Sequence, residues 1–119
     1  MDTKDYQSTS FYEDIIYGGS KPAIKLLLET PTSKEVRICI AAGQVMAEHK
    51  SPFSILIHIL KGEITLGIQG QQQQMKAGQL ISLGPHVPHD LTAIADTIVR
   101  LTIHKNDRLD RVENIINNN

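Results

Sequence analysis

The sequence predicts an all-β fold, a sandwich or barrel, on three observations. From Pro22 onward, short apolar runs rich in Ile, Val, Leu and Thr follow one another at near-regular spacing, among them AIKLLLE, KEVRICIA, SILIHIL, EITLGI, LISL and TIVRLTI. Turn chemistry separates them, as PTS, AGQ, KSP, KG, QGQ, KAGQ and GPHVP. EITLGI and TIVRLTI alternate in polarity, the period-two pattern of a strand with one buried face. Many short strands broken by turns at such intervals build sandwiches and barrels.

Taken in order, residues 1–20 form an arm: polar, mixed in charge and ending in YGGS, with too little apolar surface to offset the entropy of ordering. The arm is expected to be flexible. It nonetheless holds Tyr6, Phe11, Tyr12 and Tyr17, four of the five aromatic residues, so it is expected to dock on its own barrel or on a partner subunit. Residues 21–105 carry the strands. Within them IQGQ reads as a hairpin turn in which Gly70 supplies a positive φ, and Gln71 to Gln74 read as a solvated strand edge. The tail, 106–119, changes period: Asn106 or Asp107 caps a short helix, with Leu109, Val112, Ile115 and Ile116 on one face. That helix is expected to lie over the barrel or a neighbouring subunit.

With 119 residues, the chain is one domain with a real core. Twelve Lys and Arg against thirteen Asp and Glu leave a net charge of -1, with no cationic excess for a phosphate backbone, so nucleic acid is not an expected partner. Cys39 is the single cysteine and sits in an apolar run, the setting of a buried, inert thiol. The N-terminus lacks the basic and apolar segments of a secretory signal, and no apolar run approaches the roughly 20 residues that span a bilayer. A cytoplasmic protein with no membrane partner is expected. There is no Gly-rich phosphate loop, GxSxG or HExxH.

The chemistry concentrates in GPHVPHD, residues 84–90, where Pro85 and Pro88 stiffen a loop that carries His86 and His89. The stretch from Gly78 to Ala93 resembles the second motif of the small single-domain cupins, G-x5-P-x-G-x2-H-x3-N, with Gly78 and His89 in place. Gly84, His86 and Ala93 stand where that family commonly has Pro, Gly and Asn. The first cupin motif, G-x5-H-x-H-x3-4-E-x6-G, also lies on this chain: Gly43 opens it, His49 takes the first histidine and Gly62 closes it. Ser51 and Ile55 occupy the second histidine and the glutamate positions. The resemblance covers roughly residues 22–104.

The resemblance implies a double-stranded β-helix, the RmlC-like jelly-roll barrel, commonly a homodimer. In metal-binding members three histidines and a glutamate converge inside the barrel on Fe, Mn, Ni or Zn. Only His49 and His89 remain here, so a bound divalent metal needs a third ligand. His58 is the candidate, but strand parity sets it opposite to Ile55, Ile57 and Ile59 unless a bulge intervenes. His86, a candidate ligand-binding residue, orients His89, lines the barrel mouth or is solvated, Glu48 is a surface carboxylate, and His104 is an exposed residue at a strand end. Ser51, Ile55 and Ile57 are expected to line an apolar pocket with His49 and His89 as its polar contacts. Three readings stay open: a small-molecule-binding domain, a metal-dependent enzyme of the dioxygenase or isomerase type, and a ligand sensor acting through a partner protein. A filled core around two hydrogen-bonded histidines would look the same from sequence.

Overall fold

The computed structural model describes residues 5–117. Its strands are β1 Ala23–Glu29, β2 Ser33–Ile40, β3 Val45–His49, β4 Ile55–Lys61, β5 Glu63–Ile68, β6 Gln71–Lys76, β7 Leu80–Leu83, β8 His89–Ala93 and β9 Thr97–His104, followed by the helix α1, Leu109–Asn117. All strand pairs are antiparallel. They form a five-stranded sheet in the order β1-β2-β9-β4-β7 and a four-stranded sheet in the order β3-β8-β5-β6. This is the expected all-β double-stranded β-helix.

Alternation fixes which side chains meet between the sheets. Val36, Ile38 and Ile40 of β2, Ile55, Ile57 and Ile59 of β4, and Val99, Leu101 and Ile103 of β9 are buried and share one core with Ile64, Leu66, Leu91 and Ala93 of the facing sheet. β-branched side chains favour this pleated, half-buried setting. Burying each contributes about 1.5–3 kcal/mol, and the cooperative core offsets the entropy of the loops.

Two turns show why the chain reverses where it does. Gln69 and Gly70 both have positive φ, 50° and 81°, the geometry of a two-residue hairpin loop between β5 and β6. The expected Gly70 turn is therefore present, with Gln69 sharing it. Beyond it Gln71 to Gln74 are exposed on the edge strand β6, as their composition suggests. Between β4 and β5, Gly62 has φ 89° and so little room that an added Cβ would stand 2.4 Å from Thr97 Oγ1 and 2.5 Å from the Asp96 carbonyl. Only glycine meets both constraints.

The tail forms the helix its period predicts. Val112 and Ile116 are buried, with Leu109 and Ile115 packed beside them on the core. The described part of the arm, from Asp5, lies along the outer face of the five-stranded sheet. Arg37 Nη1 donates to the Glu13 carbonyl at 2.7 Å, Gln7 Nε2 to the Glu29 carbonyl at 2.6 Å, and the Tyr12 hydroxyl to the Leu60 carbonyl at 3.3 Å. These bonds hold the described part of the arm on its own barrel, the first of the two docking places its aromatic residues suggest.

Candidate functional site

His49 reaches the barrel interior through a β-bulge. Met46 pairs with Leu91 and His49 with His89, so three residues on β3 span what two span on β8. Strict alternation would turn His49 away from Met46; the extra residue brings both to the same side. On β8 the parity is regular, and His89, Leu91 and Ala93 all point inward.

The two imidazoles meet edge to face, with ring centroids 4.2 Å apart and planes at 63°. His49 Nδ1 lies 2.6 Å from the Ala47 carbonyl oxygen and His89 Nδ1 3.0 Å from that of Val87. A carbonyl only accepts, so each neutral ring carries its proton on Nδ1 and a lone pair on Nε2. Burial pushes the His49 pKa down to about 4, against the upward pull of its bond to Ala47, with His89 and the Arg111 guanidinium adding to the fall. Burial lowers His89 as well, and Arg111 again adds to the effect. Both rings are neutral at pH 7.

The pair lines a small cavity with Ile38, Met46, Ile55, Ile57, Leu91, Val99 and Leu101, closed on the α1 side by Arg111 and Val112. Its free volume is about 20 Å³. That holds about one water molecule. Of the two alternatives, an open pocket and a filled core, the barrel is nearer the second, because α1 turns its apolar face into the barrel mouth.

α1 is fixed there through Asp107, which is 2% exposed. Its carboxylate accepts from Ser51 Oγ at 2.8 Å, from Arg111 Nε at 2.7 Å and Nη2 at 2.8 Å, and from the Arg108 backbone N–H at 2.8 Å. Burial alone would raise the Asp107 pKa, but the bonds from Arg111 and Ser51 hold it below the usual carboxylate value. On the solvent side of Arg111 lies a second cavity of about 330 Å³, lined by Pro52, Phe53, Asn106, Asp107, Arg108 and Asn114 among others. Arg111 therefore forms a wall shared by the surface cavity and the one beneath it.

The structure brings His49, His89, Ile55 and Ile57 to the lining of one cavity. Ser51 is absent from the cavity lining: its hydroxyl bonds Asp107 and accepts from the Phe53 N–H, so it holds the helix. His86 is exposed on the loop, at φ 63°, and its N–H donates to the Ser51 carbonyl. His58 faces outward, as parity requires, since β4 pairs with β7 without a bulge before it. Glu48 is exposed. His104 is half-buried instead of exposed, stacked on Phe53 at 4.4 Å, because the loop carrying Phe53 folds across the end of β9. Arg111, Val112 and Asp107 went unread as site residues. Their signal was the four-residue spacing of Asp107 and Arg111, which matches an ion pair on one helix face.

The donor set does not match the metal centre of the family motif. Two Nε2 atoms are available, but Ile55 offers no ligand, the Ser51 hydroxyl and the Asp107 carboxylate are engaged with one another and with Arg111, and a guanidinium lines the same cavity. No group of three His, Cys, Asp or Glu side chains suited to a metal occurs among the described residues.

A jelly-roll barrel with two inward histidines from its two motif strands defines a small cupin-like domain. The cupin domain family model matches residues 36–104, more than half the chain, and the protein belongs to that family. An RmlC-like cupin from Desulfovibrio desulfuricans superposes with a TM-score of 0.76 at 22% identity, covering 83% of this chain and 96% of that one. An RmlC-like cupin from Shewanella frigidimarina gives 0.74 at 22% identity, covering 89% and 96%. A conserved protein of unknown function from Streptococcus pyogenes gives 0.72 at 18%, covering 89% and 93%. These likenesses establish the shared fold. No curated protein matches the chain. No helix among the described residues is long and apolar enough to cross a membrane.

Proposed function

We infer that this cupin domain binds a small molecule at the barrel mouth, with His49 and His89 as hydrogen-bond acceptors and α1 as the element that closes over the ligand. One observation carries the reading. Both imidazoles spend Nδ1 on a carbonyl two residues back on their own chain, leaving two Nε2 lone pairs beside a single cavity. Apolar walls with a few fixed polar atoms are the usual make-up of a small-molecule site.

A space of about 20 Å³ admits no ligand larger than water. Binding therefore requires α1, or at least Arg111 and Val112, to move outward. The ligand class follows from the groups present: Arg111 offers a cation and the two Nε2 atoms accept, so a small dihydroxy acid, whose carboxylate meets Arg111 and whose two hydroxyls each donate to one ring, satisfies all three.

The test is a titration of the labelled protein with glycerate, which has one carboxylate and two hydroxyls, followed through the imidazole nitrogen resonances. Saturable shifts at His49 and His89, lost in His89→Ala, support the reading. Val112→Ala, which makes room under the helix, is expected to tighten binding. Unmoved imidazoles in both proteins, with each folded, would overturn the reading for this ligand class.

A further inference from the structure

The outer face of the five-stranded sheet carries a different set of groups. Strand registers align Lys25, Arg37, Arg100, His58 and Leu80 in one row across all five strands. Four of the five are cationic or imidazole side chains. The neighbouring row holds Leu28, Glu35, Thr102 and Leu56. An outer sheet face is ordinarily solvated, yet Glu35 is 8% and Arg37 4% exposed, because the arm covers them.

Between arm and sheet lies an open groove of about 440 Å³, lined by Thr9, Ser10, Phe11, Tyr12, Leu28, Glu35, His58, Leu60 and Arg100. Its polar groups are not evenly balanced. Glu35 is already satisfied: Oε1 accepts from Arg100 Nε at 2.9 Å and Thr102 Oγ1 at 2.7 Å, and Oε2 from Ser33 Oγ at 3.2 Å. Arg100 uses only Nε in that pair, and its terminal nitrogens have no hydrogen bond among the described residues. His58 Nδ1 is buried and likewise lacks a partner among them. A buried ring nitrogen left unbonded costs about 1–3 kcal/mol, so the site is incomplete as it stands. Phe11, Leu28 and Leu60 supply apolar walls.

We propose that this groove is a second ligand site, separate from the barrel, for a small carboxylate with an aryl or alkyl body. The carboxylate lies on the free edge of the Arg100 guanidinium beside His58, and the body lies along Phe11, Leu28 and Leu60. Arginine is suited to this because its planar fork meets a carboxylate with two parallel bonds. The arm's aromatic residues then have a use: Phe11 and Tyr12 form the side of the groove that the sheet cannot provide.

The experiment uses the full chain, labelled with nitrogen-15 and carbon-13, titrated with phenylacetate and separately with phenylacetamide. The acid is expected to shift the resonances of Phe11, Leu28, His58, Leu60 and Arg100 saturably, and the amide to bind about tenfold more weakly or worse. Arg100→Gln is expected to raise the dissociation constant by about tenfold. Since that change also frees Glu35, Phe11→Ala serves as the second variant: Phe11 takes no part in the Arg100–Glu35 pair, and loss of its ring is expected to raise the dissociation constant by about tenfold. Equal response to acid and amide, or shifts confined to His49 and His89, would sink the proposal. So would sedimentation showing a dimer that Phe11→Ala dissociates, with phenylacetate affinity unchanged, since the groove would then be covered by a second copy.

Discussion

Ser51 and Asp107, 56 residues apart in sequence, share a 2.8 Å hydrogen bond in which the hydroxyl donates to a carboxylate, both side chains being buried. Through this contact the loop after β3 holds the start of α1, and α1 in turn closes the barrel over His49 and His89. Closure of the barrel therefore depends on a polar knot at its rim as well as on the apolar face of the helix.

Removing the centre of that knot is expected to loosen the helix before the barrel. Asp107→Ala leaves the Arg111 guanidinium and the Ser51 hydroxyl without their partner. Breaking a largely buried pair costs about 3–5 kcal/mol, and the partial exposure of Arg111, 23%, brings the expectation to about 2–4 kcal/mol. Urea denaturation measures the loss. Hydrogen exchange locates it: amides of Leu109–Asn117 are expected to exchange faster, while those of β2 and β9 follow global stability only. Uniform acceleration through the sheets would show that Asp107 supports the whole core equally.

The histidine pair makes stability depend on pH in a defined direction. His49 has a folded pKa of about 4 against an ordinary 6.5, so between these values the unfolded chain binds a proton that the folded chain refuses. The associated stability is full above about pH 6.5 and is lost as the pH falls toward 4, amounting to about 2 kcal/mol after allowance for partial exposure. Asp107, held below its ordinary 3.8, contributes in a separate and lower window: its stabilisation is present above that value and fades as the pH falls below it. Urea midpoints at pH 7, 5.5 and 4.5 are expected to decline in the native protein and to decline less in His49→Gln. An identical decline in the variant would assign the effect to other groups.

Metal affinity provides a third check. Two imidazoles beside a guanidinium are expected to hold zinc weakly, with a dissociation constant well above micromolar and no stoichiometric metal after purification without chelator. Ile55→Glu puts a carboxylate in the lining of the same cavity, at the position where the family motif has glutamate. Zinc affinity, measured by competition with a chromogenic chelator, is expected to rise by about tenfold or more. Stoichiometric zinc bound by the native protein and lost in both His49→Ala and His89→Ala would show that a third ligand completes the site.

Much of the fold could be read from strand alternation, and the residues show why. Ile55, Ile57 and Ile59 face inward because the period of β4 is unbroken, which also places His58 outside. His49 is inward for the opposite reason, a bulge that nothing in VMAEH announces. The motif spacing found His49 where periodicity alone would have set it apart from Met46. The helix was visible in its three- and four-residue intervals, but its destination was not, since an apolar stripe does not say which surface it will cover. Hence the sequence left an open pocket and a filled core as alternatives, and the cavity is nearly full. Docking of the arm on its own barrel or a partner was legible in its aromatic residues, but the way it attaches was not, because the bonds from Arg37 and Gln7 use backbone carbonyls and any sequence has those.

The loop that carries His86 gives a prediction in which a change toward the family pattern should help. The second motif places glycine at this position, and here His86 has φ 63°. A left-handed backbone costs a side-chain-bearing residue about 1–2 kcal/mol, and glycine adopts it freely. Glycine also loses more freedom on folding, by roughly 0.5–1 kcal/mol, so His86→Gly is expected to stabilise the protein by about 0.5–1 kcal/mol. The His86 ring is exposed and makes no hydrogen bond among the described residues, and the 2.7 Å bond from its N–H to the Ser51 carbonyl belongs to the backbone and survives the change. His86→Ala is the control, since it removes the ring and keeps the strain, and is expected to be neutral or slightly destabilising. Urea denaturation at pH 7 separates the two. Were His86→Gly less stable than the native protein while His86→Ala matched it, the loop would owe its conformation to something other than the strain at this residue.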